Sequence, residues 1–161
     1  MLKLIVADSN LKLLSTWSEV FQGISEVLFM NIDFKSLVKL PEIDAVLVRW
    51  LFAHERYGGT PQINQSQILS TNGEIGMPSW VVTTPAFRSD TTPLPEEYDY
   101  TEFSQVFESI EQFNKTNKQS NIETLGFELS FLYSFRGELP YKEAEAVRKA
   151  YVEHCSRHSN L

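Results

Sequence analysis

Two kinds of apolar pattern alternate along the chain. Short continuous runs come first: "LKLIVA" over 2–7, "SEVLFMNI" over 25–32, "IDAVLVRW" over 43–50 and "SWVVTTP" over 79–85. Runs of this length, apolar at successive positions, predict strands covered on both faces. "NIETLGFEL", from 121, begins another. Between them lie stripes of helical spacing. Leu13, Leu14, Trp17, Val20 and Phe21 share one face of a helix that Asp8 or Ser9 would cap, that runs to about Gln22 and that Gly23 ends. Phe103, Phe107, Ile110 and Phe113 mark a core-facing stripe on a helix over 99–117, and Ala144, Val147, Tyr151 and Cys155 mark another over 141–157. From Leu51 to Met77 the periodicity is weak: "RYGGTPQINQ" reads as loop and "QINQSQIL" as a short helix. "AFRSDTTPLPEEYD" reads as a long polar connection. No repeat, low-complexity tract or linker interrupts the pattern. The expectation is a single α/β domain over 1–161, with a mixed or mostly parallel sheet and helices on both faces.

One stretch stands apart. In "FELSFLYSFRGELP", 127–140, Phe127, Leu129, Phe131, Tyr133 and Phe135 fall on one parity, and Glu128, Ser130 and Ser134 on the other. That is the period of extended chain. "YKEAEAVRKAY" then begins a helix. Strand-to-helix junctions in α/β proteins often hold phosphates on glycine-rich turns. This junction carries aromatics.

Composition narrows the function classes. With 161 residues the chain can bury a sizeable core unaided. A net charge of −7 disfavours a phosphate-backbone footprint, so no nucleic-acid partner is expected. Cys155 is the single cysteine, which excludes an internal disulfide framework and a CxxC motif. The first residues lack the pattern of a signal peptide, and no apolar run reaches the ~20 residues of a membrane span. The cytoplasm is the expected compartment. Seven glycines, where average usage gives roughly eleven, leave little for a glycine-rich cradle.

Four stretches together resemble the macro domain superfamily, and more narrowly the bacterial macro-like proteins of the Appr-1″-p processing type. They are "MNIDF", "IDAVLVRWLFAHERYGG", "VVTTPAFRSD" and "ELPYKEAEAVRKAY", which between them span most of the chain. The resemblance implies a three-layer sandwich and an ADP-ribose-like ligand. It places Asp33 on the acid that binds the adenine amino group, and Arg88 on the family arginine. It also exposes departures. Leu51 stands where the family has asparagine and His54 where it has a loop glycine, leaving Gly58 and Gly59. Phe131, Tyr133 and Phe135 stand where the phosphate loop has glycines, leaving Gly137. An aromatic side chain disfavours the left-handed backbone of such a loop and fills the space of the anion. The loop is therefore expected to have become extended chain.

These readings lead to a non-catalytic binding or interaction module for a nucleotide-like or other anionic ligand. The alternatives are an ADP-ribose binder or hydrolase with unorthodox loops, and a structural or partner-binding protein with a filled cleft. The candidate ligand residues are Asp33, Arg49, Arg56, Gly58, Gly59, Arg88 and Arg136. The four arginines could form a local anion site in an acidic chain, or could be surface groups paired with Glu55, Asp90 and Glu138. Asp33 could equally cap a turn. Phe131, Tyr133 and Phe135, with Trp50, Phe52 and Tyr57, could stack a base or fill the cleft as core. "HER", 54–56, is better explained as a polar loop than as an acid–base pair. His154 and His158 are four apart on a helix, but no carboxylate follows in a zincin pattern, so neither metal nor cofactor is expected. Cys155 fits the apolar stripe as a structural thiol.

Overall fold

The computed structural model describes residues 1–60, 62–63, 65–86, 98–133 and 140–158. Its strands are β1 (Lys3–Ala7), β2 (Val27–Met30), β3 (Ala45–Val48), β4 (Ile68–Ser70), β5 (Trp80–Thr83) and β6 (Thr124–Glu128). They form one six-stranded sheet in the order β2-β1-β6-β3-β5-β4. All pairings are parallel except that of β4 with β5. The helices are α1 (Leu11–Val20), α2 (Phe34–Leu37), α3 (Trp50–Tyr57), α4 (Tyr98–Thr116), α5 (Leu129–Tyr133) and α6 (Pro140–His158).

The continuous apolar runs are explained by two cores, one on each face. Leu4, Val6, Ala45, Leu47 and Phe127 point into the first, against Trp17 of α1, Phe103 and Phe107 of α4, and Val147 and Tyr151 of α6. Ile5, Ala7, Val46, Val48 and Val81 point into the second, against Leu37 of α2 and Ala53 of α3. Neighbours on a strand thus serve opposite layers, and neither parity is left for solvent. Gly126 sits in the middle of β6 because α2 approaches closely: a Cβ there would lie 3.1 Å from Leu37 and 3.3 Å from Ile43. On the first face, Arg148 of α6 donates from Nη1 to the carbonyls of Val20 and Gln22 at 3.1 and 3.3 Å, capping the end of α1. The Tyr151 hydroxyl donates to the Leu2 carbonyl at 2.5 Å.

Several local expectations are corrected. The cap of α1 is Asn10, whose side chain accepts from the Leu13 N–H at 3.1 Å, rather than Asp8 or Ser9. The run over 43–50 splits: β3 ends at Val48, and α3 opens at Trp50. None of the described residues over 62–69 is helical. Ile68–Ser70 instead pairs antiparallel with β5, where Ile68 faces Val82 and Leu69 faces Val81. The aromatic alternation is not extended chain as far as it is described: β6 ends at Glu128, and Leu129–Tyr133 is a turn and a half of helix, α5.

Candidate functional site

In a parallel sheet the carboxyl ends of the strands form a common rim, where α/β proteins hold ligands. Here the rim carries Asp8 after β1, Asn31 and Asp33 after β2, Arg49 after β3 and Glu128 at the end of β6. Asp8 is fully buried. Its Oδ1 accepts from the Asn10 N–H at 2.8 Å and its Oδ2 from the Ser130 N–H at 2.7 Å. Asn31 donates from Nδ2 to the Asp8 carbonyl at 2.9 Å. Glu128 is also buried, and its Oε1 accepts from the Phe131 N–H at 3.1 Å. Burial pushes the Glu128 carboxyl above its ordinary pKa; the Phe34 N–H opposes that shift, the charge of Asp8 adds to it, and the Phe131 N–H opposes it.

The opening N–H groups of α5 are therefore already bonded to the chain's own carboxylates. These are the donors that a phosphate loop would turn toward an anion. The side chain at the same point closes the space above them. Phe131 stacks on Phe34 with centroids 4.5 Å apart and planes at 13°, and meets Phe52 edge-on at 5.3 Å and 87°. Partly buried, it packs against both cores at once. Arg49 reaches across the rim and donates from Nε to the Phe131 carbonyl at 3.0 Å.

The other expected residues fall around this plug. Asp33 is exposed and caps α2, accepting from the Ser36 N–H at 2.9 Å; its bonds to Ser36 hold the carboxyl below its ordinary pKa. The Arg56 guanidinium lies 5.0 Å from the Phe52 centroid and 3.6 Å from Glu74, its partner in place of Glu55. Glu74 also accepts from the Tyr57 hydroxyl at 2.5 Å, and burial together with that bond pushes Tyr57 up to about 12. Gly58 and Gly59 follow the last turn of α3. Both have positive φ, +79° and +77°, and they make the turn from α3 toward β4. A Cβ on Gly59 would come within 2.8 Å of Leu69. "HER" lies in α3 rather than in a polar loop, and His54 Nδ1 lies 2.7 Å from the Gly59 carbonyl.

The rim thus brings together Asp33, Arg49, Arg56 and Phe131 through the Phe34–Phe131–Phe52 cluster, and sets Gly58 and Gly59 aside. Arg88, Phe135 and Arg136 lie outside the described residues, as does the side chain of Tyr133. Sequence reasoning missed the roles of Asp8, Phe34 and Glu128. A signal existed for Asp8, a carboxylate directly after an apolar run with no lysine or arginine beside it. No model of a known protein family matches the chain, and no curated protein matches it.

Proposed function

We propose that the chain is a non-catalytic binding or interaction module, built on a divergent macro-like framework whose phosphate loop has been replaced by an internal plug. One observation carries the reading: the N–H groups of Ser130 and Phe131 are bonded to Asp8 and Glu128, beneath a ring packed between Phe34 and Phe52. A pyrophosphate at this point would have to displace two buried carboxyl groups from their N–H donors. Leu51, at the position of the family asparagine, lies exposed on α3 and offers no hydrogen bond to a ribose or an attacking water.

A second reading, an anionic ligand held by side chains, is favoured by the place of Arg56. It is half exposed, lies over Phe52 and borders the plug, so a guanidinium and aromatic faces are available together.

The test is a thermal-shift titration with ADP-ribose, AMP and inorganic phosphate. A ligand at a hundredfold excess over Kd adds ~2.7 kcal/mol. For a chain of this size that is a rise of several degrees, at ~2–4 °C per kcal/mol. The plugged module gives no shift with any of the three up to millimolar concentration. A shift that disappears in Arg56→Ala selects the side-chain anion site. A shift with ADP-ribose that survives Arg56→Ala means that the rim admits a pyrophosphate, and overturns the proposal.

A further inference from the structure

At the opposite end of the sheet, where β1 and β6 begin, a cavity of about 520 Å³ is lined in part by Lys3, Glu111, Asn114, Thr124, His154 and His158. Along it α4 and α6 pack side by side. His154 and His158 are one helical turn apart on α6, so their rings share a face, with centroids 4.7 Å apart. From α4, Glu108 Oε2 lies 3.5 Å from His158 Nε2, and Glu111 Oε1 lies 3.6 Å from His158 Nδ1. One ligand-capable atom from each of Glu108, His154 and His158 falls within 4.8 Å of the other two.

The described residues leave one nitrogen of each ring without a hydrogen bond. His154 Nδ1 and His158 Nε2 are buried and have no hydrogen-bond partner among the described residues; the 3.5 Å contact to Glu108 is an ion-pair distance without hydrogen-bond geometry. His154 as a residue is only 4% exposed. Buried polar atoms without partners are uncommon in folded proteins and call for an explanation.

We infer that Glu108, His154 and His158 form a binding site for a divalent transition-metal ion of the zinc type, with Glu111 facing the other nitrogen of His158 and the fourth position left to solvent. The donor set decides the class of ion. Two imidazoles and a carboxylate suit zinc and its neighbours, whereas magnesium and calcium take oxygen ligands. Donors on one tetrahedral zinc stand ~3.3 Å apart, given bonds of ~2.0–2.1 Å. The observed spread of 4.8 Å closes to that by side-chain rotation alone, because Glu108 and His158 are only partly buried. Such an ion would clip the last turn of α6 to the middle of α4. The site is independent of the reading of the strand rim.

The test uses the full chain, untagged and stripped with a chelator. Zinc titrated by calorimetry binds with one-to-one stoichiometry and a Kd of about 1 µM or tighter. Saturating zinc raises Tm by several degrees and magnesium does not. Cobalt(II) in its place gives the intense visible bands of tetrahedral coordination. Glu108→Gln and His158→Gln, both at partly exposed positions, keep the wild-type circular dichroism and weaken zinc about tenfold or more. Cys155→Ser leaves the affinity unchanged, since the thiol is not among the three groups that converge. No zinc uptake at about 100 µM overturns the inference. So does uptake unaffected by the Glu108→Gln/His158→Gln pair, or uptake lost in Cys155→Ser.

Discussion

The two ends of the sheet treat their polar groups in opposite ways. At the carboxyl ends of the strands, carboxylates and backbone donors satisfy each other: Asp8 with Ser130 and Asn10, Glu128 with Phe131. An aromatic cluster covers them. At the amino ends, imidazole nitrogens are buried beside a cavity with no hydrogen-bond partner among the described residues. Among the described residues, the first N–H groups of α5 at the end where an α/β fold customarily holds its ligand are already matched, while the customarily silent end keeps imidazole nitrogens without a hydrogen bond. Position in a fold therefore says less about a site than whether its donors and acceptors are already matched.

The comparison can be broken most severely at the plug. Phe131→Ala removes a partly buried ring shared by two cores and is expected to cost about 2–3 kcal/mol, below the ~3–5 of a fully buried phenylalanine. Urea denaturation measures it, and a loss under ~1 kcal/mol would mean that the ring merely lies on the surface. Next in size, Asp8→Asn leaves a buried position facing two backbone donors with half its acceptors exchanged for an NH₂ group. A loss of about 2 kcal/mol is expected, and a neutral result would show that Asp8 does not hold α5 in place.

At the other end the sign reverses. His154→Leu removes an unpartnered buried nitrogen, so the metal-free variant should match or exceed the wild type, by up to ~1 kcal/mol in chemical denaturation. In saturating zinc the order should invert. Destabilisation of the metal-free variant would instead mean that the imidazole has a partner within the protein.

The smallest effect expected is a pH dependence at Glu128. Its folded-state pKa lies above that of the unfolded chain, because burial disfavours the charge. The native state then holds the proton more tightly. The resulting stability is fully present below the ordinary carboxyl pKa of 4.5 and is lost as pH rises through the folded pKa. Glu128→Gln keeps an acceptor for the Phe131 N–H without the titration. Its Tm relative to wild type should climb from pH 4 into the neutral range and then level off, and a flat difference would remove Glu128 from the balance at the rim.

Much of the scaffold was legible because its causes are local. Leu4 to Ala7 are apolar in succession since Leu4 and Val6 face one core and Ile5 and Ala7 the other. The stripes on α4 and α6 repeat every three or four residues for the same reason. What escaped depends on residues distant in sequence. In five residues such as "LSFLY" a period of two and one of 3.6 cannot be separated, and the choice of helix is set by Asp8, 122 residues before Ser130. Ile68–Ser70 becomes a strand because β5 has a free edge to receive it. The pairing of His154 and His158 could be read from their spacing, but Glu108 reaches them from another helix. No pattern along α6 reveals it.

The place of β6 has a consequence for synthesis. It is the last of the described strands, 124–128, yet it lies in the middle of the sheet and joins β1 to β3. A chain emerging from the ribosome can pair β1 with β2, and β3 with β5 and β4, long before that segment appears. Until it does, the nascent protein carries two unfinished fragments whose facing edges are open to any other strand. Closure then comes as a single late insertion with large sequence separation, a slow step by the logic of contact order. A translation pause before residue 124 should lengthen the exposure to chaperones, and a truncation there should yield aggregates rather than a smaller folded protein.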